Sequence, residues 1–144
     1  MKYVYPARFV QHKGTVLVSF RDFPEALTEG RTRADALVEA TDCLDVATLF
    51  RIKEASPLPL PSRARRDEVL VAASPHVAAK AAFARAFSNS GLTRVALASI
   101  LGVRETEVRR MLDPDHGTRL ERLNEGMRAL GRQLIVADQP ADAA

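Results

Sequence analysis

The stretch from Arg94 to Asp113 is the feature that most constrains the fold, because its spacing is typical of two short helices joined at a tight turn. Ala98 stands where crossing helices leave room for a small side chain only. Gly102 follows four residues later, at the turn, where a residue free to adopt positive φ is favoured, and Val103 comes next. The apolar residues expected on the inward faces are Leu97, Ile100 and Leu101 in the first helix, and Val108 and Met111 in the second. This pattern predicts a helix-turn-helix, with an ordinary helical hairpin of a protein core as the alternative.

The second of these helices, predicted at Glu105 to Leu112, is expected to enter the major groove of DNA. The candidate DNA-binding residues are Arg94, Arg104, Glu105, Thr106, Arg109 and Arg110. Arg104, Thr106 and Arg109 are expected to reach base edges, and Arg109 is the best candidate for a guanine contact. Arg94 and Arg110 are expected to hold phosphates. Glu105 either accepts from a cytosine amine or orients an arginine, and the second role is favoured.

The excess of positive charge lies in the half of the chain that contains this motif. The net charge is +3, and residues 1–62 carry eight basic and eight acidic groups, whereas residues 63–144 carry thirteen and ten. The basic groups of the second half are almost all arginine, which suits bidentate contacts to phosphate and guanine. A solvated surface with a mild bias is the alternative, and a charge of this size does not exclude it.

Ahead of the motif, the pattern predicts a small sheet with one helix. Strands are expected at Tyr3–Val10, Thr15–Phe20, Ala26–Glu29 and Glu68–Ala73. A helix is expected from Thr32, its cap, to about Ala55, before the proline-rich residues 57–61. Its inward stripe is predicted to contain Leu37, Ala40, Leu44, Ala47 and either Phe50 or Arg51. Pro6 suggests that the first strand lies at a sheet edge or contains a bulge.

The rest of the chain is predicted to be mostly helical. Besides the motif, the predicted elements are a helix from Ser74-Pro75 to about Phe87, a helix from Thr118 to Gly131 with the apolar stripe Leu120, Leu123, Met127 and Leu130, and a short strand at Gln133–Ala137. Thr118 and Glu121 are predicted to form a capping box. We therefore expect an α+β protein with a sheet domain at 1–74, an all-α helix-turn-helix domain at 75–137 and a disordered tail at 138–144.

No residues have the spacing of a metal site or of a nucleophilic catalytic site. His12, His76 and His116 are scattered, and there is no phosphate-binding loop or dinucleotide fingerprint. Cys43 is the only cysteine, so it forms no intrachain disulfide and is expected to be a small core residue. The chain has no apolar run of about 18 residues and no signal-peptide core. We expect a cytoplasmic protein without cofactor, metal or membrane helix.

Motifs in both halves resemble HicB-type antitoxins. The first half has Tyr5-Pro6-Ala7, the bend from Phe20 to Pro24, the element Thr28-Glu29-Gly30-Arg31-Thr32 and Asp35-Ala36-Leu37 at the helix. The second half, LGVRETEVRRMLDPDHGTRLERLNEGMRALGRQL, is similar to the helix-turn-helix domain that many of these antitoxins carry. One departure is Glu25-Ala26, where many members have Gly followed by Cys or another small residue, and it concerns the local turn only.

The resemblance implies a function. HicB-like proteins bind and neutralise HicA, a small ribonuclease toxin with a catalytic histidine, and they repress their own operon. Their N-terminal domain resembles a partial ribonuclease H fold and holds the toxin. Their C-terminal domain binds operator DNA, usually as a dimer or tetramer. For this chain, a two-fold dimer that reads half-sites about 34 Å apart is expected.

Catalysis of the ribonuclease H type is not expected, because that chemistry needs clustered carboxylates that hold two metal ions. Asp22, Glu25 and Glu29 form either a solvated bend or an acidic surface that faces a basic toxin. Two other classes of function stay open. One is a stand-alone repressor with an N-terminal sensor or oligomerisation domain, and the other is a pure protein-interaction module that binds no DNA.

Overall fold

The computed structural model describes residues 1–141, and the chain divides into two units. The first contains Met1–Thr48 and Pro59–Ser74, and the second contains Leu49–Leu58 and Pro75–Gln139. Of the predicted tail, residues 138–141 have no regular secondary structure and residues 142–144 lie outside the described part of the chain. No helix within residues 1–141 has the length and apolarity that a membrane span requires.

The first unit is an antiparallel sheet of four strands with one helix, of which the residues from Leu49 onwards are assigned to the second unit. The elements are β1 (Val4–His12), β2 (Thr15–Phe20), β3 (Leu27–Gly30), α1 (Arg33–Lys53) and β4 (Glu68–Ala72). The strand order is β3-β2-β1-β4. The predicted small sheet with one helix, and with it the α+β class, is confirmed, and the four strands predicted for this sheet occur within two residues of their expected bounds.

Pro6 does not mark an edge strand or a bulge, because β1 lies in the middle of the sheet and pairs with β4 without interruption. The pairing with β2 begins only at Ala7, which lies opposite Phe20. Pro6 therefore has a neighbour on one side only, opposite Leu70. A residue without an N–H group is tolerated in a central strand where the second partner has already ended.

Alternation along β2 forms the core of the first unit. Val16, Val18 and Phe20 are all buried, and the two residues between them are more exposed. The buried face of α1 consists of small or aliphatic side chains with one threonine, namely Ala36, Ala40, Leu44, Ala47 and Thr48. Of the two predicted continuations of this stripe, Phe50 is 57% exposed and Arg51 is half-buried. Arg51 lies two helical turns after Leu44, on the same face.

Gly30 brings the end of β3 against the start of α1. A Cβ at Gly30 would lie 2.3 Å from the backbone nitrogen of Ala36. The helix begins as predicted, since the Thr32 hydroxyl accepts a hydrogen bond from the Asp35 N–H at 3.1 Å. The strand-to-helix turn is therefore fixed by a close backbone approach and by a cap.

The second unit is helical. It contains α2 (Pro75–Ser90), α3 (Arg94–Leu101), α4 (Glu105–Leu112) and α5 (Leu120–Ala129). The core residues from all four helices are Ala79, Phe83, Ala86, Leu97, Ala98, Val108, Met111, Leu123 and Met127. α2 runs three residues beyond its predicted end and stops before Gly91, which has φ +70°.

Four predictions for the second unit are wrong. Residues 133–137 form no strand, because no strand within residues 1–141 pairs with them. Thr118 does not cap α5, which starts at Leu120, since its hydroxyl donates to the Arg110 carbonyl oxygen instead. Ile100 and Leu120, predicted inward, are 59% and 41% exposed, because the inward stripes of α3 and α5 run through Leu97 and Leu123.

Candidate functional site

α3 and α4 are joined by the tight turn that the sequence predicts. The Thr93 hydroxyl caps α3 and accepts from the Ala96 N–H at 3.1 Å. Gly102 is left-handed, with φ 66° and ψ 32°, and the Val103 N–H donates to the Ala98 carbonyl oxygen at 3.0 Å. α4 then begins at Glu105, so only three residues separate the two helices. This geometry fixes which face of α4 turns inward.

The inward face of α4 is fully buried. Val108 is 0% exposed and Met111 is 1% exposed, as predicted. Behind them, Gly126 of α5 has no room for a side chain, since a Cβ there would lie 2.6 Å from the Met111 Cε atom and 2.6 Å from a Phe83 ring carbon. The packing therefore leaves α4 a single orientation about its own axis.

The outer face of α4 carries exposed arginine. Arg104, Thr106, Arg109 and Arg110 are exposed, as the sequence predicts. Arg110 Nη1 lies 3.1 Å from Glu107 Oε1, an ion pair that the sequence analysis missed. Neither Arg104 nor Arg109 forms an ion pair within the described part of the chain. Their cationic groups are therefore open to a partner.

Arg94 and Glu105 are brought together across the turn. Arg94 Nε lies 3.1 Å from Glu105 Oε1, and the side chains are 52% and 32% exposed. An exposed pair of this kind contributes little to stability, about 0–1 kcal/mol. Its effect is geometric, because it holds the Arg94 side chain beside the first turn of α4.

A buried lysine fastens the loop that follows α4. Lys80 of α2 is 1% exposed, and its ammonium group donates to the His116 carbonyl oxygen. Burial lowers the pKa of Lys80, and the nearby carboxylates of Asp113 and Asp115 partly oppose that shift. This contact was not predicted, although a single lysine within the apolar run VAAKAAF is a visible signal of a buried charge.

In the first unit, Asp22 holds the chain's own backbone. Its two carboxylate oxygens accept from the Ser62 N–H at 2.8 Å and from the Ser62 hydroxyl at 2.6 Å. Tyr5 likewise donates its hydroxyl to the Pro59 carbonyl oxygen at 3.0 Å. The segment after α1 is thus tied to the sheet. Glu25 and Glu29, the other two acidic candidates, are exposed.

A second long-range anchor was missed from the sequence. Arg21 donates to both oxygens of Glu68, at 3.0 and 2.8 Å, and the Arg65 N–H donates to Glu68 as well. These hydrogen bonds lower the pKa of Glu68 to about 2. The carboxylate is therefore ionised at neutral pH and is satisfied by its own chain.

The acidic residues of the first unit do not converge on a metal site. Within residues 1–141, no group of three or more histidine, cysteine or carboxylate side chains is placed to hold an ion. Glu29, Asp35 and Glu39 instead line a shallow depression together with Arg31. Burial, followed by the charge of Glu39, raises the pKa of the half-buried Cys43 thiol, which disfavours a nucleophilic thiolate.

Comparisons with known proteins point to one family. The family model described as a HicB-like antitoxin of bacterial toxin–antitoxin systems matches residues 4–82. Antitoxin HicB 1 of Photorhabdus laumondii is 39% identical over 125 residues, which are 87% of this chain and 79% of that protein. Antitoxin HicB of Escherichia coli is 34% identical over 85% of this chain and 88% of its own length. Antitoxin HicB of Pseudomonas fluorescens is 25% identical over 95% of this chain and 94% of its own length.

Proposed function

The chain belongs to the HicB antitoxins of bacterial toxin–antitoxin systems, and from this premise we propose that it has two activities in the cytoplasm. The first unit binds and neutralises a HicA-type ribonuclease toxin. The second unit binds operator DNA as a dimer or tetramer and represses the operon that encodes both proteins. An antitoxin is a binding protein, in agreement with the expectation that the chain is not an enzyme.

The outer face of α4 is the observation that carries the DNA-binding activity. A helix whose inward face is sealed by Val108 and Met111 presents Arg109 and Thr106 to solvent in a fixed direction. A helix placed in the major groove needs this combination of rigid support and exposed hydrogen-bonding side chains. We assign base-edge contacts to Arg109, Thr106 and Arg104.

Arg94 and Arg110 are assigned to the phosphates. Each is held by a carboxylate, Arg94 by Glu105 and Arg110 by Glu107, and each side chain stays more than half exposed. An arginine with one carboxylate partner still has donors for a phosphate oxygen. The Arg94–Glu105 distance supports the role of Glu105 as an orienting residue rather than as a reader of cytosine.

For the toxin, we assign the acidic surface that contains Glu25 and Glu29. Charge complementarity with a basic, RNA-binding protein would speed association and favour the correct partner. Asp22 contributes less directly, because both of its oxygens already accept hydrogen bonds from Ser62. Its role is to hold the bend that positions Glu25.

The antitoxin activity is tested by co-expression of this chain with the short, basic reading frame expected beside it. Rescue of growth and co-purification are expected. Glu29→Lys is expected to slow association of the two proteins, and Glu121→Lys on α5 is the matched control. A neighbour that is harmless when expressed alone, or that never co-purifies, would contradict this activity.

The DNA-binding activity is tested separately, with operator DNA from upstream of the operon and titrations at fixed salt. Arg109→Ala is expected to weaken operator binding and to relax the preference at one base pair. Arg128→Ala, which removes an exposed arginine from α5, is the matched control. Equal affinity of the two variants would contradict the assignment of α4.

A further inference from the structure

The segment after α5, residues 133–137, is largely apolar, strand-forming and exposed. Residues 133–137, Gln-Leu-Ile-Val-Ala, carry no charge and are rich in strand-forming side chains. Ile135 is 86% exposed and Val136 is 79% exposed. No strand pairing within residues 1–141 includes them. Apolar, strand-forming backbone without a partner is the usual template for pairing with another chain.

The segment is anchored at its start. The Arg132 N–H donates to the Met127 carbonyl oxygen at 2.9 Å. The Leu134 N–H donates to the Asn124 side-chain oxygen at 3.1 Å, and the Leu134 side chain packs against the core of the second unit. These contacts fix where the segment leaves α5. Ile135 and Val136 therefore project from a held position.

We propose that residues 132–138 pair antiparallel with the same residues of a second copy of this chain, with the two-fold axis at Ile135. In this register the residues that lie opposite each other are Ile135 and Ile135, Leu134 and Val136, Gln133 and Ala137, and Arg132 and Asp138. Apolar side chains then meet apolar side chains. An arginine faces an aspartate at each end of the ribbon, and such cross-strand pairs favour the register.

Neighbouring registers lose this complementarity. A two-fold axis in an antiparallel pair passes between a residue and its own copy, so the competing centres are Leu134 and Val136. The first places Arg132 opposite Val136. The second places Asp138 opposite Leu134. Only the register centred on Ile135 places Arg132 opposite Asp138 and pairs the uncharged residues with one another.

The sequence of the segment favours a second copy of the chain as its partner. When two identical copies run antiparallel, apolar residues lie opposite apolar residues and arginine lies opposite aspartate. The interface between identical subunits related by a two-fold axis has this property. The choice also rests in part on the proposed function, since operator binding with half-sites calls for a two-fold dimer. The pairing itself requires no DNA, and its test is carried out without any.

Disulfide cross-linking of the full chain tests the register. In a Cys43→Ser background, Ile135→Cys places two thiols opposite each other, and an interchain disulfide is expected under mild oxidation. Gln133→Cys is the matched control, because residue 133 lies about 13 Å from its own copy in this register. Disulfides need Cα atoms within about 7 Å. Equal cross-linking of both variants, or none at position 135, would overturn the proposal.

Charge reversal tests the same pairing by sedimentation. Arg132→Asp and Asp138→Arg are each expected to raise the dimer dissociation constant about tenfold, because each places like charges opposite each other twice. The double variant restores opposite charges and is expected to return the constant to within about threefold of the wild type. A double variant that is as weak as the singles would overturn the proposal. If the Ile135→Cys chain cross-links but binds no operator DNA, the DNA-binding proposal fails and the pairing proposal stands.

Discussion

The two units use their charged side chains in opposite ways. In the first unit, Arg21 pairs with Glu68 across 47 positions of sequence, and Asp22 holds Ser62 across 40. These contacts connect segments that are distant in the chain, and they keep the charges bound to the protein's own backbone and side chains. Charge here maintains the fold.

In the second unit, α4 and α5 each carry an ion pair within the helix itself. Arg110 and Glu107 are three positions apart, as are Arg122 and Glu125. Arg109 has no ion-pair partner within residues 1–141. The buried Lys80 is the exception, but α4 itself is held by its apolar core, so its exposed charges can be replaced without loss of the fold. The difference indicates where a substitution should change stability and where it should change binding.

The strongest test of this contrast is Gly30→Ala, which we expect to destabilise the first unit by about 3 kcal/mol or more. The new Cβ would meet backbone atoms of Ala36 at 2.3 and 2.6 Å, and backbone cannot rotate away. Chemical denaturation monitored by circular dichroism measures the loss. Gly117→Ala is the control, because no atom lies within 4 Å of its Cβ position. Equal stability of the two variants would mean that β3 and α1 leave room for a Cβ at residue 30.

A smaller loss is expected for Gly126→Ala in the second unit, about 1–3 kcal/mol. Here the new Cβ meets the end of the Met111 side chain and the Phe83 ring rather than backbone, and the methionine can move aside. The same denaturation experiment, combined with hydrogen exchange of α4 amides, locates the effect. A loss larger than that of Gly30→Ala would reverse the ranking of the two contacts.

Arg109→Ala should separate binding from stability. We expect operator binding to weaken by roughly 1–3 kcal/mol, while the free energy of unfolding changes by less than about 0.5 kcal/mol. Titration of labelled operator DNA and a parallel denaturation curve provide the two numbers. A drop in stability as large as the drop in binding would show that this arginine supports the fold after all.

The converse result is expected for Asp22→Ala, with a stability loss of about 1–2 kcal/mol, because the N–H and the hydroxyl of the half-buried Ser62 lose their acceptor. Glu29→Ala removes a carboxylate that is exposed on β3 and should leave unfolding unchanged. Thermal unfolding compares the pair directly. Identical melting temperatures would remove the distinction between a structural and a surface acid.

The smallest expected effect is the change in stability with pH that Glu68 causes. Because the folded-state pKa of Glu68 is about 2, below its ordinary value of 4.5, its contribution to stability is present above about pH 4.5. It is lost as the pH falls from there towards 2. Wild type should exceed Glu68→Gln in stability at about pH 6, and the gap should narrow at about pH 3. A gap that does not change with pH would contradict the role of the ion pair with Arg21.

Local patterns explain what the sequence could predict. Alternation at Val16, Val18 and Phe20 revealed the buried face of β2, and the spacing of Ala98, Gly102 and Val108 revealed the packing of α3 against α4. In both cases the signal lies within a few residues of its consequence. Periodicity and turn chemistry are sufficient there.

Contacts between distant segments could not be predicted in this way. Nothing near Arg21 indicates Glu68, because the pairing depends on the sheet register that brings β4 beside β1. Thr118 is a residue type that often caps helices. Its hydroxyl nevertheless donates to the Arg110 carbonyl oxygen, because the loop after α4 turns back towards that helix. The strand predicted at residues 133–137 needs a partner that a single copy does not supply.

The positions of the lysines determine where amine-reactive reagents can modify the protein. Of the four lysines, Lys2, Lys13 and Lys53 are exposed, whereas Lys80 is buried and bonded to the His116 carbonyl oxygen. The cations of α4 are all arginines. Reagents that acylate primary amines should therefore leave α4 unmarked. A chain coupled to a sensor chip through its amines would keep that helix chemically intact for its ligand.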